Sequence, residues 1–251
     1  MPTLVLVRHG TTEAAEANRF AGWDDTALSA AGRAEVALAA RTLAGAGIEF
    51  DCCFTSRLSR ATETLAAVAE ALGLEAAGVT REWRLNERHY GALQGETRGA
   101  MIEAHGNAQV VAWRRSYDAV PPPLGEDDPR WREQLARLAD VPAALQPRTE
   151  SLGQAVERVT PVWHEAIASV LRGGGNVLVV AHTSSIRGLA RAIEGLDDEA
   201  SAAFRIATAV PRVYELDEAL RPVARADLTE GLASGVRYWA NRLKPRWLGR
   251  F

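Results

Sequence analysis

The chain has 251 residues, of which 47% are hydrophobic and 24% charged, and its formal net charge is −3. This composition is typical of a globular protein with a sizeable core, and it excludes a strong positive field that would attract nucleic acid or an anionic membrane. Because no apolar run approaches the roughly 20 residues that cross a bilayer, and because the first residues do not resemble a signal peptide, we expect a cytoplasmic protein.

Short apolar runs alternate with longer helical patterns along the chain. The predicted strands are residues 3–7, 50–54, 176–181 and 212–216, and the predicted helices are residues 29–47, 56–73 and 149–175. Each helical pattern ends at glycine, and the third has Thr149 or Ser151 as its N-terminal cap. The alternation predicts an α/β fold with three α/β/α layers and a mostly parallel central sheet. Ligands of such folds bind beyond the carboxyl ends of the strands.

Two histidines follow predicted strands directly. Arg8 and His9 come after the first strand, in "LVLVRHG", and His182 comes after the third, in "NVLVVAHTSS". A single histidine at a strand end is often only a hydrogen-bonded structural group. Two in matched positions, one of them beside an arginine, favour a shared pocket at one edge of the sheet.

The predicted helix after the second strand begins with two arginines, Arg57 and Arg60. The first turn of a helix favours anions through its free N–H groups, and a guanidinium matches the geometry of phosphate oxygens. We expect Arg60 to contact a phosphoryl group and Arg57 to be a solvated surface residue.

Metal and nucleotide sites are not visible in the sequence. Cys52 and Cys53 are adjacent rather than spaced as metal ligands, and no Gly-rich phosphate loop follows a strand. We therefore expect neither a metal nor a nucleotide cofactor.

The segments "LVLVRHG", "SRLSRATET" and "VLVVAH" together resemble the histidine phosphatase superfamily. The segments "WRLNERHYGALQGET", "AWRRSYDAVPPPL" and "TESLGQAVERVTPVW" further resemble its cofactor-dependent phosphoglycerate mutases, and the likeness runs from about residue 3 to about residue 217. It implies one mutase-like domain over residues 1–251, with a helical and loop insertion over the site and a divergent C-terminal tail from about residue 228.

The resemblance also implies roles for individual residues. The implied catalytic set consists of the nucleophile His9, the phosphoryl-binding residues Arg8, Arg60 and His182, and the proton donor and acceptor Glu87. The implied substrate-binding set is Gly22, Arg88, Tyr90, Arg98, Arg114, Arg115, Thr183 and Ser184. The implied reaction is the interconversion of 3-phosphoglycerate and 2-phosphoglycerate in glycolysis and gluconeogenesis, through a phosphohistidine primed by 2,3-bisphosphoglycerate.

These residue types suit phosphoryl transfer on chemical grounds. A phosphoryl group that is being transferred spreads negative charge over its oxygens, so fixed cations and hydrogen-bond donors supply most of the catalysis. A neutral imidazole is nucleophilic when its other nitrogen is held as a donor, and we predict a backbone carbonyl as the partner for His9. A carboxyl next to phosphates should have a raised pKa, which would let Glu87 both give and take a proton.

The chain departs from the mutase pattern around the substrate. The mutases usually have a Glu-Ser pair where this chain has Thr11 and Thr12, and later an asparagine before the segment "ENRFTGW", where this chain has Ala15 and Ala21. Arg98 stands where lysine is usual. The usual Gly-Asn-Ser after the second histidine is replaced by Thr183, Ser184 and Ser185. The tail is predicted to form an amphipathic helix with Tyr238, Trp239 and Trp247 packed inward.

Two alternatives to a mutase remain open from the sequence. One is a histidine phosphatase that hydrolyses small phosphorylated metabolites, and the other is a catalytically weak paralogue that binds phosphorylated ligands. The expected partner is in each case a small phosphorylated acid rather than nucleic acid or a membrane. The oligomeric state is left open, with a homo-oligomer as one alternative.

Overall fold

The computed structural model describes residues 1–74 and 78–229, which form a central sheet covered by helices on both faces. The strands are β1 (Thr3–Arg8), β2 (Cys52–Thr55), β3 (Val79–Arg81), β4 (Val177–Ala181), β5 (Arg212–Leu216) and β6 (Pro222–Asp227). The helices are α1 (Glu13–Glu16), α2 (Ala30–Ala46), α3 (Ser59–Leu72), α4 (Arg98–His105), α5 (Asn107–Arg115), α6 (Pro129–Arg137), α7 (Leu152–Val162), α8 (Ala168–Arg172), α9 (Thr183–Glu194) and α10 (Asp198–Ala203). The predicted three-layer α/β fold is confirmed.

The described strands form a mostly parallel sheet in the order β3-β2-β4-β1-β5-β6. Strands β1 to β4 pair in parallel, whereas β5 runs antiparallel to both of its neighbours. Arg8 of β1 lies opposite Ala181 of β4, and the N–H of His9 donates to the carbonyl of Ala181 at 3.1 Å. The residues that follow these two strands, His9 and His182, therefore leave the sheet side by side.

Side chains of the central strands point alternately to the two faces of the sheet, and this divides the apolar core into two clusters. Leu4 and Leu6 of β1 pack in one apolar cluster with residues of α7 and α9, whereas Val5 and Val7 pack in the other with residues of α2 and α3. Because side chains alternate across a pleated strand, one continuous apolar run covers both faces. This is why residues 4–7 of β1 and all residues of β4 are apolar.

The helix boundaries refine the sequence prediction. The Ser29 hydroxyl accepts the Gly32 N–H at the start of α2, and Gly47 ends it with a φ of 65°. Ser151, not Thr149, caps the third predicted helix, through a capping box with Gln154. That helix is interrupted by a π-helical segment, Trp163–Ile167, just after Pro161, which has no N–H to donate within the helix.

Two strands and part of one helix differ from expectation. β3 and β6 were not predicted, because β3 has only three residues and β6 lies at the sheet edge with alternating half-buried side chains rather than an apolar run. The predicted helix at 56–73 begins only at Ser59, so Ser56 and Arg57 lie in the turn that precedes α3. This turn brings Ser56 to the same sheet edge as the two histidines.

An insertion between β3 and α7 carries the helices α4, α5 and α6. A separate apolar cluster of Phe20, Leu93, Val110 and Trp113 holds α5 against the segment after α1. The predicted amphipathic tail around Tyr238 lies outside the described residues. Within the described part of the chain, none of the helices combines the length and the apolar character needed to cross a membrane.

Candidate active site

His9 is held as a neutral imidazole at the end of β1. Its Nδ1 lies 2.7 Å from the carbonyl oxygen of Gly10, and because a carbonyl can only accept, Nδ1 carries the proton and Nε2 has the lone pair. Burial lowers the pKa of the imidazole well below its usual value, and the charge of Arg60 lowers the pKa further. The predicted backbone-carbonyl partner is confirmed.

His182 lies beside His9, with the two ring centroids 4.9 Å apart. The side chain is fully buried. Its Nε2 lies 2.8 Å from the hydroxyl oxygen of Ser56, whereas its Nδ1 is buried with no hydrogen-bond partner among the described residues. Burial lowers the pKa of His182 well below its usual value, and Arg60 and His9 lower it further. Both imidazoles are therefore neutral at neutral pH.

Arg60 projects from the first turn of α3 into the same region. It is buried, and it donates to the carbonyl oxygens of Gly22 at 2.6 Å and Asp24 at 2.9 Å. Burial lowers its pKa to about 10, so it remains a cation at neutral pH. Gly22 has a φ of 53°, and a Cβ there would lie 2.2 Å from the Gln94 side-chain oxygen, so this turn requires glycine.

Arg8 and Arg57 have contrasting surroundings. The Nε of Arg8 is buried with no partner in the described structure, which makes it a donor for a ligand. Arg57 instead forms a bidentate pair with Asp140, at 2.6 and 2.7 Å, in which both side chains are substantially exposed. The interpretation of Arg57 as a surface residue is confirmed.

Glu87 follows a short 3₁₀ turn and meets the start of α9. Its Oε1 accepts the backbone N–H of Arg88 at 2.7 Å and that of Ser184 at 3.1 Å. Burial raises the pKa of this carboxyl, but the hydrogen bonding from Ser184 and Arg88 and the charges of Arg60 and Arg88 outweigh burial. The protein's own groups therefore lower the pKa of Glu87, and the increase expected for a carboxyl next to phosphates stays a prediction.

The pKa of Glu87 is lowered because the loop supplies more donors than the sequence reveals. Two N–H groups and two guanidinium groups favour the carboxylate, whereas the predicted increase assumed that phosphate oxygens dominate its surroundings. A phosphoryl group among these cations would act in the opposite direction and raise the pKa.

A buried ion pair supports the loop that carries Glu87. Arg158 of α7 donates to both carboxylate oxygens of Glu150, at 2.6 and 2.8 Å, and the two side chains are only 7% and 5% exposed. The same guanidinium donates to the carbonyl oxygens of Arg84 at 2.6 Å and Glu87 at 3.1 Å. The indole N–H of Trp23 donates to the same Glu87 carbonyl. Sequence reasoning missed this support.

A second cluster of cations adjoins Glu87. Arg88 is buried, and its Nη2 donates to the hydroxyl of Tyr90 at 3.0 Å and to the carbonyl of Arg114 at 3.3 Å. Burial lowers the pKa of Arg114, and the nearby charges of Arg98 and Arg115 lower it further. Arg88, Tyr90, Arg98 and Arg114 are thus brought together, whereas Arg115 lies exposed at the end of α5.

The start of α9 closes the site from the side of β4. Ser184 is buried and uses its backbone N–H on Glu87, as described above, while Thr183 is the partly buried first residue of the helix. Ser185 lies one residue further on, and its hydroxyl contacts the backbone N–H and carbonyl of His182 at 3.1 and 3.2 Å. The segment that replaces Gly-Asn-Ser therefore still forms a regular helix start.

His89, which has no role in the predicted site, is a buried structural residue. Its Nδ1 accepts the Gly91 N–H at 2.9 Å, and its Nε2 lies 2.9 Å from the Gln134 side-chain oxygen. Burial lowers its pKa to about 4. In the part of the chain that is described, no group of three or more His, Cys, Asp or Glu residues is arranged to hold a metal ion.

The sequence of this chain matches the model of a known protein family and is similar to that of a named relative. The model of the histidine phosphatase superfamily (branch 1) matches residues 4–140 and 126–225. A protein of Nitratidesulfovibrio vulgaris (strain DP4) that is named 2,3-bisphosphoglycerate-dependent phosphoglycerate mutase is 48% identical over 224 residues, which cover 89% of this chain and 90% of the relative.

Solved structures similar to this chain include phosphatases. A mycobacterial glucosyl-3-phosphoglycerate phosphatase in complex with VO3 is 25% identical with a TM-score of 0.68, covering 91% of this chain and 98% of its own. A putative alpha-ribazole-5'-P phosphatase of Escherichia coli is 20% identical with a TM-score of 0.64, covering 90% and 94%. At that identity the second likeness concerns the fold alone.

Proposed function

The chain belongs to the histidine phosphatase superfamily, and from this premise we propose that it is a phosphoglycerate mutase. It interconverts 3-phosphoglycerate and 2-phosphoglycerate, a step of glycolysis and gluconeogenesis, through a phosphohistidine at His9. The relative at 48% identity carries the name of this activity and matches along nearly its whole length.

The observation that carries the proposal is the second cluster of cations next to Glu87. Transfer of a phosphoryl group alone requires the groups around His9, namely Arg8, Arg60 and His182. A phosphorylated acid brings a further anion, and the Arg88 cluster provides a place for it. The Nε and Nη1 of Arg88 are buried without hydrogen-bond partners in the described structure, although buried donors are nearly always paired. A carboxylate or a second phosphate would satisfy them.

The same unpaired donors are suited to 2,3-bisphosphoglycerate, which primes the enzyme. 2,3-Bisphosphoglycerate would supply the phosphoryl group that first charges His9. Its two phosphates and its carboxylate need several charge-assisted donors, and the buried Nε of Arg8, the buried Nδ1 of His182 and the Arg88 guanidinium supply them.

The residues perform the transfer by positioning and charge. The Nε2 lone pair of His9 forms the N–P bond while the P–O bond to the leaving hydroxyl oxygen breaks, and Glu87 protonates that oxygen. In the return step the attacking hydroxyl oxygen forms a new P–O bond while the N–P bond breaks, and Glu87 takes the proton of that hydroxyl. Arg60 is buried and already fixed by two carbonyl groups, so it stabilises the equatorial oxygens with little reorganisation.

The lowered pKa of Glu87 suits the return step. A carboxylate that is ionised before substrate binds can accept the proton of the attacking hydroxyl, whereas incoming phosphate charge raises its pKa toward the value needed for donation. Two N–H donors fix one oxygen of this carboxylate, which leaves the other oxygen to carry the proton.

A second candidate function is hydrolysis of a phosphorylated acid, because the mycobacterial structure at 25% identity is named a phosphatase. The substrate contacts of this chain also depart from the mutase pattern. Ala15 is exposed on α1 without a polar side chain, and the Thr11 hydroxyl donates to Glu35 at 2.9 Å instead of facing a ligand. Weaker orientation of the substrate would let water attack the phosphoenzyme.

The product pattern tests the proposal. Purified protein is incubated with 3-phosphoglycerate, with and without 2,3-bisphosphoglycerate, and 2-phosphoglycerate and inorganic phosphate are followed together. A mutase forms 2-phosphoglycerate faster than phosphate and depends on the bisphosphate. Release of phosphate without 2-phosphoglycerate would support the phosphatase instead, and absence of both products would refute both candidates. His9→Ala serves as the control for contaminating activity.

A further inference from the structure

Ser56 is the one hydroxyl in contact with the ring of His182 among the described residues. It lies in the turn between β2 and α3, is fully buried, and its Oγ is 2.8 Å from Nε2 of His182. The same oxygen accepts the backbone N–H of Leu58 at 3.2 Å. These two contacts determine which of the two groups donates in the Ser56–His182 bond.

In the empty site each arrangement of the Ser56–His182 bond leaves one buried donor without a partner, and the two arrangements differ in which donor that is. If Nε2 donated to Ser56, the hydroxyl proton would have no acceptor, because no third group of the described structure lies within hydrogen-bond distance of Oγ. If Ser56 donates to Nε2, its proton is paired and its oxygen still accepts from Leu58. In the second arrangement the donor left over is the Nδ1–H of His182, which an oxygen of a bound phosphoryl group can pair, whereas the fully buried hydroxyl of the first arrangement gains no acceptor from a ligand. Binding of a phosphoryl group therefore favours the second arrangement.

The consequence concerns the other ring nitrogen of His182. A neutral imidazole whose Nε2 accepts must carry its proton on Nδ1. That atom is buried and has no partner in the described structure, and the ring lies 4.9 Å from the ring of His9. A buried N–H beside the nucleophile, with nothing to donate to, is aimed at a ligand.

We propose that Ser56 is a positioning residue that fixes the tautomer of His182, so that the neutral imidazole presents Nδ1–H as a hydrogen-bond donor to the phosphoryl group. The inference rests on the proposed phosphoryl transfer at His9. Both histidines then carry their proton on Nδ1, but they face the phosphoryl group with different nitrogens. His9 turns its Nε2 lone pair to phosphorus, and His182 turns its Nδ1–H to a phosphoryl oxygen.

The electrostatic surroundings explain why a tautomer, and not a charge, has to be fixed. Burial, Arg60 and His9 lower the pKa of His182, so the ring is neutral at neutral pH and has only one proton to place. Placed on Nε2, that proton would leave a lone pair on Nδ1 facing the phosphoryl oxygens, which repels them. Placed on Nδ1, it forms a hydrogen bond that strengthens as negative charge develops.

The test is the protonation state of the His182 ring nitrogens, measured by ¹⁵N NMR on protein labelled at its five histidines and assigned with His182→Gln. Protonated and unprotonated ring nitrogens differ widely in ¹⁵N shift. We expect a protonated Nδ1 and an unprotonated Nε2, and a change in the Nδ1 signal when inorganic phosphate is added. A protonated Nε2 in the wild type overturns the inference without any variant.

Two serine variants separate tautomer control from simple packing. Ser56→Ala removes the ring contact, and we expect Nδ1 to lose protonation in part and kcat to fall about tenfold, the rate equivalent of one hydrogen bond, with little change in KM. Ser185→Ala is the matched control, because Ser185 is equally buried and its hydroxyl contacts the backbone of His182 rather than the ring. It should keep the wild-type tautomer. An unchanged tautomer in Ser56→Ala, or the same change in both variants, overturns the inference.

The readouts also separate this inference from the proposed function. Protonation at Nδ1 together with phosphate release alone supports the role of Ser56 and refutes the mutase. Protonation at Nε2 together with full mutase activity supports the mutase and refutes the role of Ser56.

Discussion

The buried pair of Arg158 and Glu150 allows a prediction that links stability to catalysis. Arg158→Met keeps most of the side-chain volume but removes the hydrogen bonds to Glu150 and to the carbonyl oxygens of Arg84, Asn86 and Glu87. It leaves the Glu150 carboxylate buried with only the N–H of His89 as a donor.

The expected loss of stability is large because both side chains are nearly inaccessible, at 7% and 5%. Removing one partner of such a pair costs about 3 to 5 kcal/mol. The free energy of unfolding, measured in urea, should fall by this amount in Arg158→Met. The double variant with Glu150→Met should lose less than the sum of the two single variants, because no unpaired charge is left in the interior.

Arg57 provides a matched control on the surface. Its pair with Asp140 is also bidentate, but the side chains are 30% and 61% exposed. Arg57→Met should therefore cost about 1 kcal/mol or less and keep kcat, whereas Arg158→Met should lower kcat because the carbonyl of Glu87 loses its support. Equal losses of stability in Arg57→Met and Arg158→Met would refute the role assigned to burial, and an unchanged kcat in Arg158→Met would refute the support of the loop.

Four further predictions concern the site and its histidines. His9→Ala should abolish both turnover and the acid-labile, alkali-stable phosphate that 2,3-bisphosphoglycerate transfers to the protein; label that persists would contradict the nucleophile. Glu87→Gln should lower the rate by roughly 10²- to 10⁴-fold with little change in KM, and near-normal turnover would show that another group moves the proton. The pKa of His89 is lowered to about 4, so between pH 6.5 and 4 the unfolded chain binds a proton that the folded protein does not, and stability falls on acidification. His9 and His182 add to this slope, and His89→Asn should reduce it by about one proton in urea titrations across that range; an unchanged slope would contradict the assignment. Ala15→Asn should raise the ratio of isomerisation to phosphate release by about tenfold, whereas an unchanged ratio would mean that the departure at this position is neutral.

The convergence of the two histidines could be predicted from the sequence because it depends on topology alone. His9 and His182 each follow an apolar run, and parallel strands have their carboxyl ends at one edge of the sheet. The carbonyl partner of His9 was also predictable, since the nucleophile needs one nitrogen protonated and backbone carbonyls are abundant at a strand end.

The support of Glu87 could not be predicted, because it depends on contacts between distant segments. Arg158 lies within an amphipathic helix, where an arginine usually faces solvent, and only the packing of α7 turns it toward the loop of Glu87. The lowering of the Glu87 pKa by the protein's own groups could not be predicted for the same reason, since two N–H groups from different segments meet at one oxygen. Ser56 had a weak signal, its place between a predicted strand and the two arginines of the following helix, but its partner was visible only in three dimensions.

The fate of the phosphoryl group on His9 tests the central claim most directly. The protein is charged with 2,3-bisphosphoglycerate that carries ³²P, freed of excess ligand and mixed rapidly with unlabelled 3-phosphoglycerate, and the label is followed in a single turnover. A mutase transfers the label to phosphoglycerate and bisphosphoglycerate faster than to inorganic phosphate. Release of the label as inorganic phosphate at a rate unaffected by 3-phosphoglycerate would contradict the mutase and identify water as the acceptor.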